Sequence, residues 1–311
     1  MTATLEERPP QPPRTVVRTA PASAERPPAR RTSADVRLAV SRVLIVVALL
    51  GGWSLAYLTL LSGFSASHDQ HALYQRFRTE LADGTAPVGE PIATGAPVAV
   101  LSIPRAGVKG LVVVEGTGTS ELQHGPGHYR GSVLPGQHGT SLVLGRALSF
   151  GGPFAHLDRL RVGDPITVTT AQGTFTYAVQ GARRKGDPVP AAPAATDGRL
   201  TLVTAVGSGP FSRLSPSRAV FVDATLTGKA VVGGAVGTTV ATERPMSTHV
   251  GSGTLALLAL TLQLLVLTLL AGAWLRHRWS PLGAWIVATP MVLGSLWAVS
   301  SLASRMLPNL F

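Results

Sequence analysis

Three long apolar runs interrupt a chain in which apolar and polar residues otherwise alternate over short distances. The runs lie within residues 38–62, 252–275 and 281–303, and the centre of each carries no charged residue. An α-helix needs about 20 consecutive apolar residues to cross the hydrocarbon core of a bilayer. We therefore predict three transmembrane helices at these positions, with the lipid bilayer as a partner of the protein.

Residues 68–228, between the first and second runs, show short apolar segments separated by glycine and proline. Leu73, Phe77 and Leu81 are four residues apart and predict a short helix that ends near Asp83. Strand-like segments follow it: Val98–Ile103, Val108–Val114, Ser141–Leu144, Ile166–Thr170, Phe175–Gln180, Leu200–Thr204 and Ala219–Leu226. Short strands at this spacing predict a mainly β domain whose sheet closes, or nearly closes, into a barrel.

Two segments without apolar periodicity flank these elements. Residues 1–37 are rich in proline and arginine, and we predict that they form a disordered tail. Residues 229–251 are rich in glycine, valine and threonine, and we predict that they form a flexible linker between the β domain and the second apolar run.

Basic residues set the predicted orientation in the membrane. Arg30, Arg31 and Arg37 precede the first run, and Arg276 and Arg278 lie in the turn between the second and third runs. Cytoplasmic loops carry an excess of lysine and arginine. We therefore predict a cell-membrane protein with three spans, a cytoplasmic N-terminal tail and an extracellular β domain.

The net charge and the cysteine content exclude several classes of partner and of catalytic site. The formal net charge of +11 is spread along the chain rather than gathered in one patch, which argues against a nucleic-acid partner. The chain has no cysteine, which excludes a thiol nucleophile, disulfide bonds and cysteine-based zinc sites. The histidines show no ligand-type spacing with acidic residues, so we predict neither a metal nor another cofactor.

Several stretches of the β domain occur in the order and spacing typical of one family. They are Val98–Arg105, Glu121–Tyr129 with its Gly-Pro-Gly-His-Tyr string, Gly151–Leu160 beginning Gly-Gly-Pro-Phe, Arg199–Ala205 and Ser217–Ala224. Through them residues 68–228 resemble a class E-like actinobacterial sortase. The resemblance implies an eight-stranded β-barrel, flanked here by transmembrane α-helices, with a groove for the C-terminal sorting motif of a surface protein.

The resemblance also implies an active site of one His, one Cys and one Arg that works through a thioacyl intermediate. In this chain Arg146 stands in place of the His, Ala205 stands in place of the Cys, and Arg218 is the retained Arg. A methyl group cannot attack a peptide bond, and arginine stays protonated at neutral pH. We therefore predict that the protein is catalytically inactive, a pseudosortase.

Two questions stay open at this stage. The predicted noncatalytic role is to hold a surface-protein peptide or a cell-wall component, or to partner an active sortase. The rival is a sortase-type transpeptidase or hydrolase whose nucleophile has moved to Thr204, Ser208 or Ser212. Arg146 and Arg218 are either solvated remnants or a candidate anion- and peptide-binding pair. The candidate bases for a relocated nucleophile are His124, His128, His138 and His156.

Single cysteines test the predicted orientation, because the native chain offers no background reaction. We expect Gly173→Cys to react with a membrane-impermeant thiol reagent in intact cells. Thr32→Cys and His277→Cys should react only after the membrane is permeabilised. Labelling of His277→Cys in intact cells would contradict the three-span arrangement.

Overall fold

The computed structural model describes residues 33–207, 218–238, 252–278, 281–306 and Leu310. Most of the predicted N-terminal tail, residues 1–32, lies outside the described residues, as does the second half of the predicted linker, residues 239–251.

Eight strands form a closed barrel, which confirms the predicted fold. They are β1 (Pro97–Ile103), β2 (Val108–Glu115), β3 (Gly127–His128), β4 (Gly139–Leu144), β5 (Pro165–Thr170), β6 (Gly173–Arg184), β7 (Gly198–Val206) and β8 (Arg218–Leu226). Around the barrel the order is β1-β2-β3-β4-β7-β8-β6-β5. The neighbours β2–β3 and β4–β7 are parallel, and the other pairs are antiparallel. Closure leaves no strand edge open to pair with another chain.

The barrel core follows the alternation seen in the sequence. Its fully enclosed side chains include Val98, Leu101, Ile103, Ile166, Leu200, Leu202 and Val222. Tyr177 is the polar exception among the large side chains of this core, and its hydroxyl accepts a hydrogen bond of 2.6 Å from the backbone N–H of Gly136. Burial raises the pKa of Tyr177 to about 12, so the hydroxyl stays protonated at physiological pH.

The N-terminal helical region is longer than the sequence indicated. Helix α1 (Ser33–Ala56) is followed directly by a π-helical segment (Tyr57–Leu61) and by α2 (Ser62–Ala82), so the predicted short helix is the end of α2. Gln70 joins α2 to the barrel, because its side-chain amide donates to the backbone carbonyl of Val112 at 3.1 Å and its carbonyl accepts from Val112 N–H at 2.7 Å.

The two C-terminal apolar runs form α4 (Ser252–Arg278) and α5 (Pro281–Ser304), and a four-residue helix, α3, covers Glu121–His124. Three helical stretches in the described part of the chain are long and apolar enough to cross a membrane: Ala48–Ala82, Ser252–Arg278 and Gly283–Ser304. Large apolar side chains on α4 are exposed, as lipid contact requires. The helices also contact one another, because Trp53 Nε1 donates to Ser300 Oγ at 2.9 Å and the rings of Tyr57 and Trp297 meet edge to face.

The first part of the predicted linker is not free of the barrel. Val231 exchanges backbone hydrogen bonds with the 136–138 turn, donating to Gly136 and accepting from His138. Farther along, Ala235 accepts from Glu90 N–H at 3.1 Å, and Gly237 N–H donates to the carbonyl of Arg130 at 3.0 Å. These contacts could not be predicted from the sequence, because backbone hydrogen bonds do not depend on a side-chain pattern in a run of glycine, valine and threonine.

Gly136 lies at the base of the barrel with a backbone φ of 96°, and a Cβ atom there would overlap the ring of Phe175. We expect Gly136→Ala to lower the free energy of unfolding by about 2–4 kcal/mol, from the clash and the left-handed backbone together. Gly173→Ala is the matched control, because its φ is 132° but nothing lies within 4 Å of the added atom. The control should lose only about 1–2 kcal/mol. Equal losses, measured by denaturant unfolding, would show that the steric contact with Phe175 is unimportant.

Candidate functional site

Position 205 lies near the end of β7, next to β8, where Ala205 faces Ala219 across the strand pair. Ala205 is 2% exposed. Its methyl group belongs to an apolar cluster with Leu122, Leu144, Val203, Ala219 and Leu310. The position at which the resemblance implies a thiol is therefore an apolar contact with no reactive atom.

A cavity of about 800 Å³ opens beside Ala205. Its floor includes Ala205, Ala147 and Val220, and its rim carries the charged or titratable side chains of His156, Asp158, Arg183, Arg184 and Asp187. Thr59, from the π-helical segment, also lines it. A lining that combines apolar surface with a few polar groups is typical of ligand-binding cavities. The described lining includes neither Arg146 nor Arg218.

Arg146 follows β4 directly after Gly145, and its side chain turns into the protein. The residue is 0% exposed. Within the described residues its guanidinium donates three hydrogen bonds to neutral oxygens, namely the carbonyls of Leu122 (3.1 Å) and Thr119 (3.1 Å) and Ser149 Oγ (3.0 Å). The guanidinium carbon also lies 5.0 Å from the centre of the Phe150 ring, within cation–π range.

These contacts explain how the fold accommodates a buried charge. Desolvation lowers the pKa of Arg146 to about 10, because burial penalises the charged form. The group is still protonated at neutral pH, so it cannot serve as the proton donor that a histidine would be. Its hydrogen bonds tie the segment that carries Thr119 and Leu122 to the 146–150 loop. Arg146 therefore acts as a structural clamp.

Arg218 has a different environment. It is the first residue of β8, lies opposite Val206 in the strand register, and is exposed. The neighbouring loop, residues 208–217, lies outside the described residues. The structure therefore does not bring the two guanidinium groups to one accessible surface, because Arg146 is enclosed and only Arg218 is open to solvent. Of the two candidate anion-binding arginines, only Arg218 is open to solvent in the structure.

Of the three candidate hydroxyl nucleophiles, one lies within the described residues. Thr204 is 1% exposed, and its hydroxyl donates to the carbonyl of Gly145 at 3.0 Å. A nucleophile needs a base at that proton, and here the proton is held by a backbone oxygen. Ser208 and Ser212 fall outside the described residues.

Comparison with known proteins identifies the family of the barrel. Residues 101–225 match the family model described as "Sortase domain", a stretch that runs from β1 to β8. The barrel is a sortase domain.

Individual relatives match parts of the chain. Sortase D of Bacillus subtilis (strain 168) is 31% identical over 86 residues, which cover 28% of this chain and 41% of that protein. The chain thus matches less than half the length of this curated relative. Sortase E from Streptomyces avermitilis is 32% identical, with 44% of this chain and 92% of that chain covered and a TM-score of 0.36. A Clostridium perfringens sortase D5 transpeptidase is 22% identical, with 52% and 99% covered and a TM-score of 0.42.

The sortase domain also holds a buried pair of His128 and Glu115, a contact that the sequence did not indicate. His128 on β3 faces Glu115 on β2, and the Nδ1 to Oε2 distance is 2.9 Å. On its other side, His128 Nε2 lies 3.2 Å from Ser132 Oγ, so the three residues line up as a hydroxyl, an imidazole and a carboxylate. The signal was hidden because β3 has only two residues, too few for a strand pattern.

The other hydrogen bonds of His128 and Ser132 indicate that this row of serine, histidine and glutamate is structural rather than catalytic. His128 Nε2 lies 2.9 Å from the carbonyl of Val133, which can only accept, so Nε2 carries a proton and is not a base. The Ser132 hydroxyl donates to the carbonyl of Tyr129 at 2.7 Å and accepts from Leu142 N–H at 3.0 Å. Both its proton and a lone pair are engaged in holding the turn after β3.

The remaining candidate bases are dispersed. His124 pairs with Asp69 on the surface at 2.8 Å. His138 Nε2 lies 3.0 Å from the carbonyl of Ala230. Only His156 lines the cavity beside Ala205. The carboxylate of Asp223 on β8, which could orient a catalytic base, is already held by Arg183 and Thr201, each at 2.7 Å.

The clamp role of Arg146 can be measured. We expect Arg146→Ala to lower the free energy of unfolding by about 3–5 kcal/mol, because it leaves a cavity and removes three buried hydrogen bonds. Arg146→Lys keeps the charge but loses the fork geometry and should lose about 2 kcal/mol. The matched control is Arg218→Ala, which should change stability by no more than about 0.5 kcal/mol. A small effect at Arg146, equal to that at Arg218, would refute the clamp.

Proposed function

We propose that this protein is a membrane-anchored pseudosortase, a sortase domain that binds rather than reacts. Its role is noncatalytic: it holds a peptide segment of a surface protein or an envelope component, or it partners an active sortase. The observation that carries this proposal is the buried methyl group of Ala205, which sits in an apolar cluster where a sortase needs its thiol.

Two chemical roles are vacant in the described site. A sortase forms a thioacyl intermediate, which requires a nucleophile, and then releases an amine, which requires a proton donor. Ala205 supplies no nucleophilic atom. Arg146 supplies no proton at neutral pH, and its guanidinium is committed to Thr119, Leu122 and Ser149. Restoring one role alone would leave the other unfilled.

The cavity supports a binding role. Its volume of about 800 Å³ falls within the range of sites that hold a ligand of several residues or a comparable small molecule. Its rim combines Arg183 and Arg184 with Asp158 and Asp187. Mixed charge of this kind discriminates among peptides by their own charge pattern rather than selecting anions in general.

The site lies on the extracellular side in this proposal. Three helices of suitable length and apolarity anchor the chain. The arginines before the first helix, and Arg276 and Arg278 after the second, favour a cytoplasmic location for both segments. The sortase domain then faces the cell surface, where its peptide or envelope ligand would be found.

Turnover and binding can be separated in one set of measurements. We expect the detergent-purified full chain to show no hydrolysis and no transpeptidation of surface-protein peptides, and no reaction with a hydroxyl-directed covalent probe, because neither Ala205 nor the engaged Thr204 hydroxyl can attack. The same peptides should bind, as measured by fluorescence anisotropy.

Turnover lost on Ser208→Ala or Thr204→Ala, but kept in the exposed control Thr174→Ala, would establish the rival hydroxyl enzyme instead. Absence of both turnover and binding across peptides and cell-wall fragments would leave partnership with an active sortase as the remaining role, to be read from co-purification with that enzyme.

A further inference from the structure

Leu310, almost at the end of the sequence, is seated in the sortase domain. It is 0% exposed, and its side chain joins the apolar cluster around position 205, with Leu122, Leu144, Val203, Ala205 and Ala219. The sequence distance from Ala205 to Leu310 includes both C-terminal apolar helices. A residue beyond the membrane helices therefore fills the space beside the vacant nucleophile position.

A backbone hydrogen bond accompanies the side chain. Ala147 N–H donates to the carbonyl of Leu310 at 3.2 Å. Ala147 and Ala205 also line the cavity of about 800 Å³. The Leu310 seat, defined by Ala147, Ala205, Ala219, Leu122 and Leu144, is thus continuous with the floor of the proposed binding site.

The seat has the features of a peptide subsite. It accepts one aliphatic side chain in an apolar enclosure, and it offers one backbone N–H to a backbone carbonyl, the two contacts that any leucine-like residue in an extended segment can make. One wall is fixed from behind, because Arg146 Nε donates to the carbonyl of Leu122. Arg146, at the position where the resemblance implies a histidine, thereby holds the seat in shape.

We propose that this seat is a peptide-binding subsite for an aliphatic residue, occupied in cis by Leu310, and that an external peptide binds by displacing it. The external ligand rests on the proposed function; the occupancy by Leu310 does not. Because Leu310 is covalently attached, its effective concentration at the seat is on the order of millimolar or higher. Leu310 therefore sets a threshold of affinity that a ligand must exceed before it can occupy the seat.

Binding in trans tests the subsite directly. The probe is a fluorescent synthetic peptide with the sequence of residues 305–311, Arg-Met-Leu-Pro-Asn-Leu-Phe. We expect it to bind a chain that ends at Met306, and to bind the full chain at least about tenfold more weakly, because Leu310 competes in cis. A peptide with Leu310→Ala should bind the shortened chain about 30-fold more weakly, as the loss of a buried leucine side chain predicts. A scrambled peptide is the control.

The absence of native cysteine provides a second readout that needs no ligand. In the Ala205→Cys chain, a small thiol reagent should react slowly while Leu310 covers the position. Deletion of residues 307–311, or Leu310→Ala in the full chain, should raise the rate about tenfold or more. Val162→Cys, at a side chain that is 73% exposed, is the matched control and should react at one rate in every background.

Each outcome decides one proposal. Equal labelling of Ala205→Cys with and without residues 307–311 would overturn the occupied subsite, and so would a shortened chain that no longer folds, since Leu310 would then be a fixed part of the core. If the shortened chain binds the 305–311 peptide but no external peptide, the subsite stands and the proposed function fails. If external peptides bind the full and shortened chains equally, the function stands and the subsite fails.

Discussion

The enclosed guanidinium of Arg146 is the constraint on which the site depends. A permanent cation placed where solvent cannot reach it must be met by oxygen atoms, since the desolvation of an unpaired charge would exceed the stability of most domains. Among the described residues the guanidinium is met by two backbone carbonyls, one hydroxyl and the face of Phe150. These hydrogen bonds fix the backbone on both sides of the side chain.

This constraint links three features that are far apart in the sequence. Arg146 holds the carbonyl of Leu122, Leu122 forms a wall of the apolar cluster at Ala205, and Leu310 closes that cluster. The loop after Arg146 is attached to the N-terminal helix as well, because Phe150 N–H donates to Ser62 Oγ at 2.9 Å. Arg146, which the sequence resemblance aligns with a catalytic histidine, is thus a structural centre of this domain.

The sequence predicted the barrel well because strand periodicity is a local signal. Seven strand segments were found in this way, and β3 was missed because two residues show no period. For the site, the sequence predicted which residue types occupy the key positions but not their burial or their contacts. That Ala205 cannot react follows from its side chain alone, but the burial of Arg146 depends on the carbonyl of Thr119, which is 27 residues away, and no local pattern carries that contact. The docking of Leu310 was invisible for the same reason.

The helical segment Tyr57–Ala82 packs directly on the sortase domain. The π-helical segment passes without a hinge into α2, Gln70 fixes α2 to β2, and Thr59 itself lines the cavity. In the proposed membrane arrangement, a domain mounted in this way has no tether to extend, so its binding face works at one height above the bilayer. The proposed role then selects partners by their depth in the envelope, because only a segment presented close to the membrane surface comes within range.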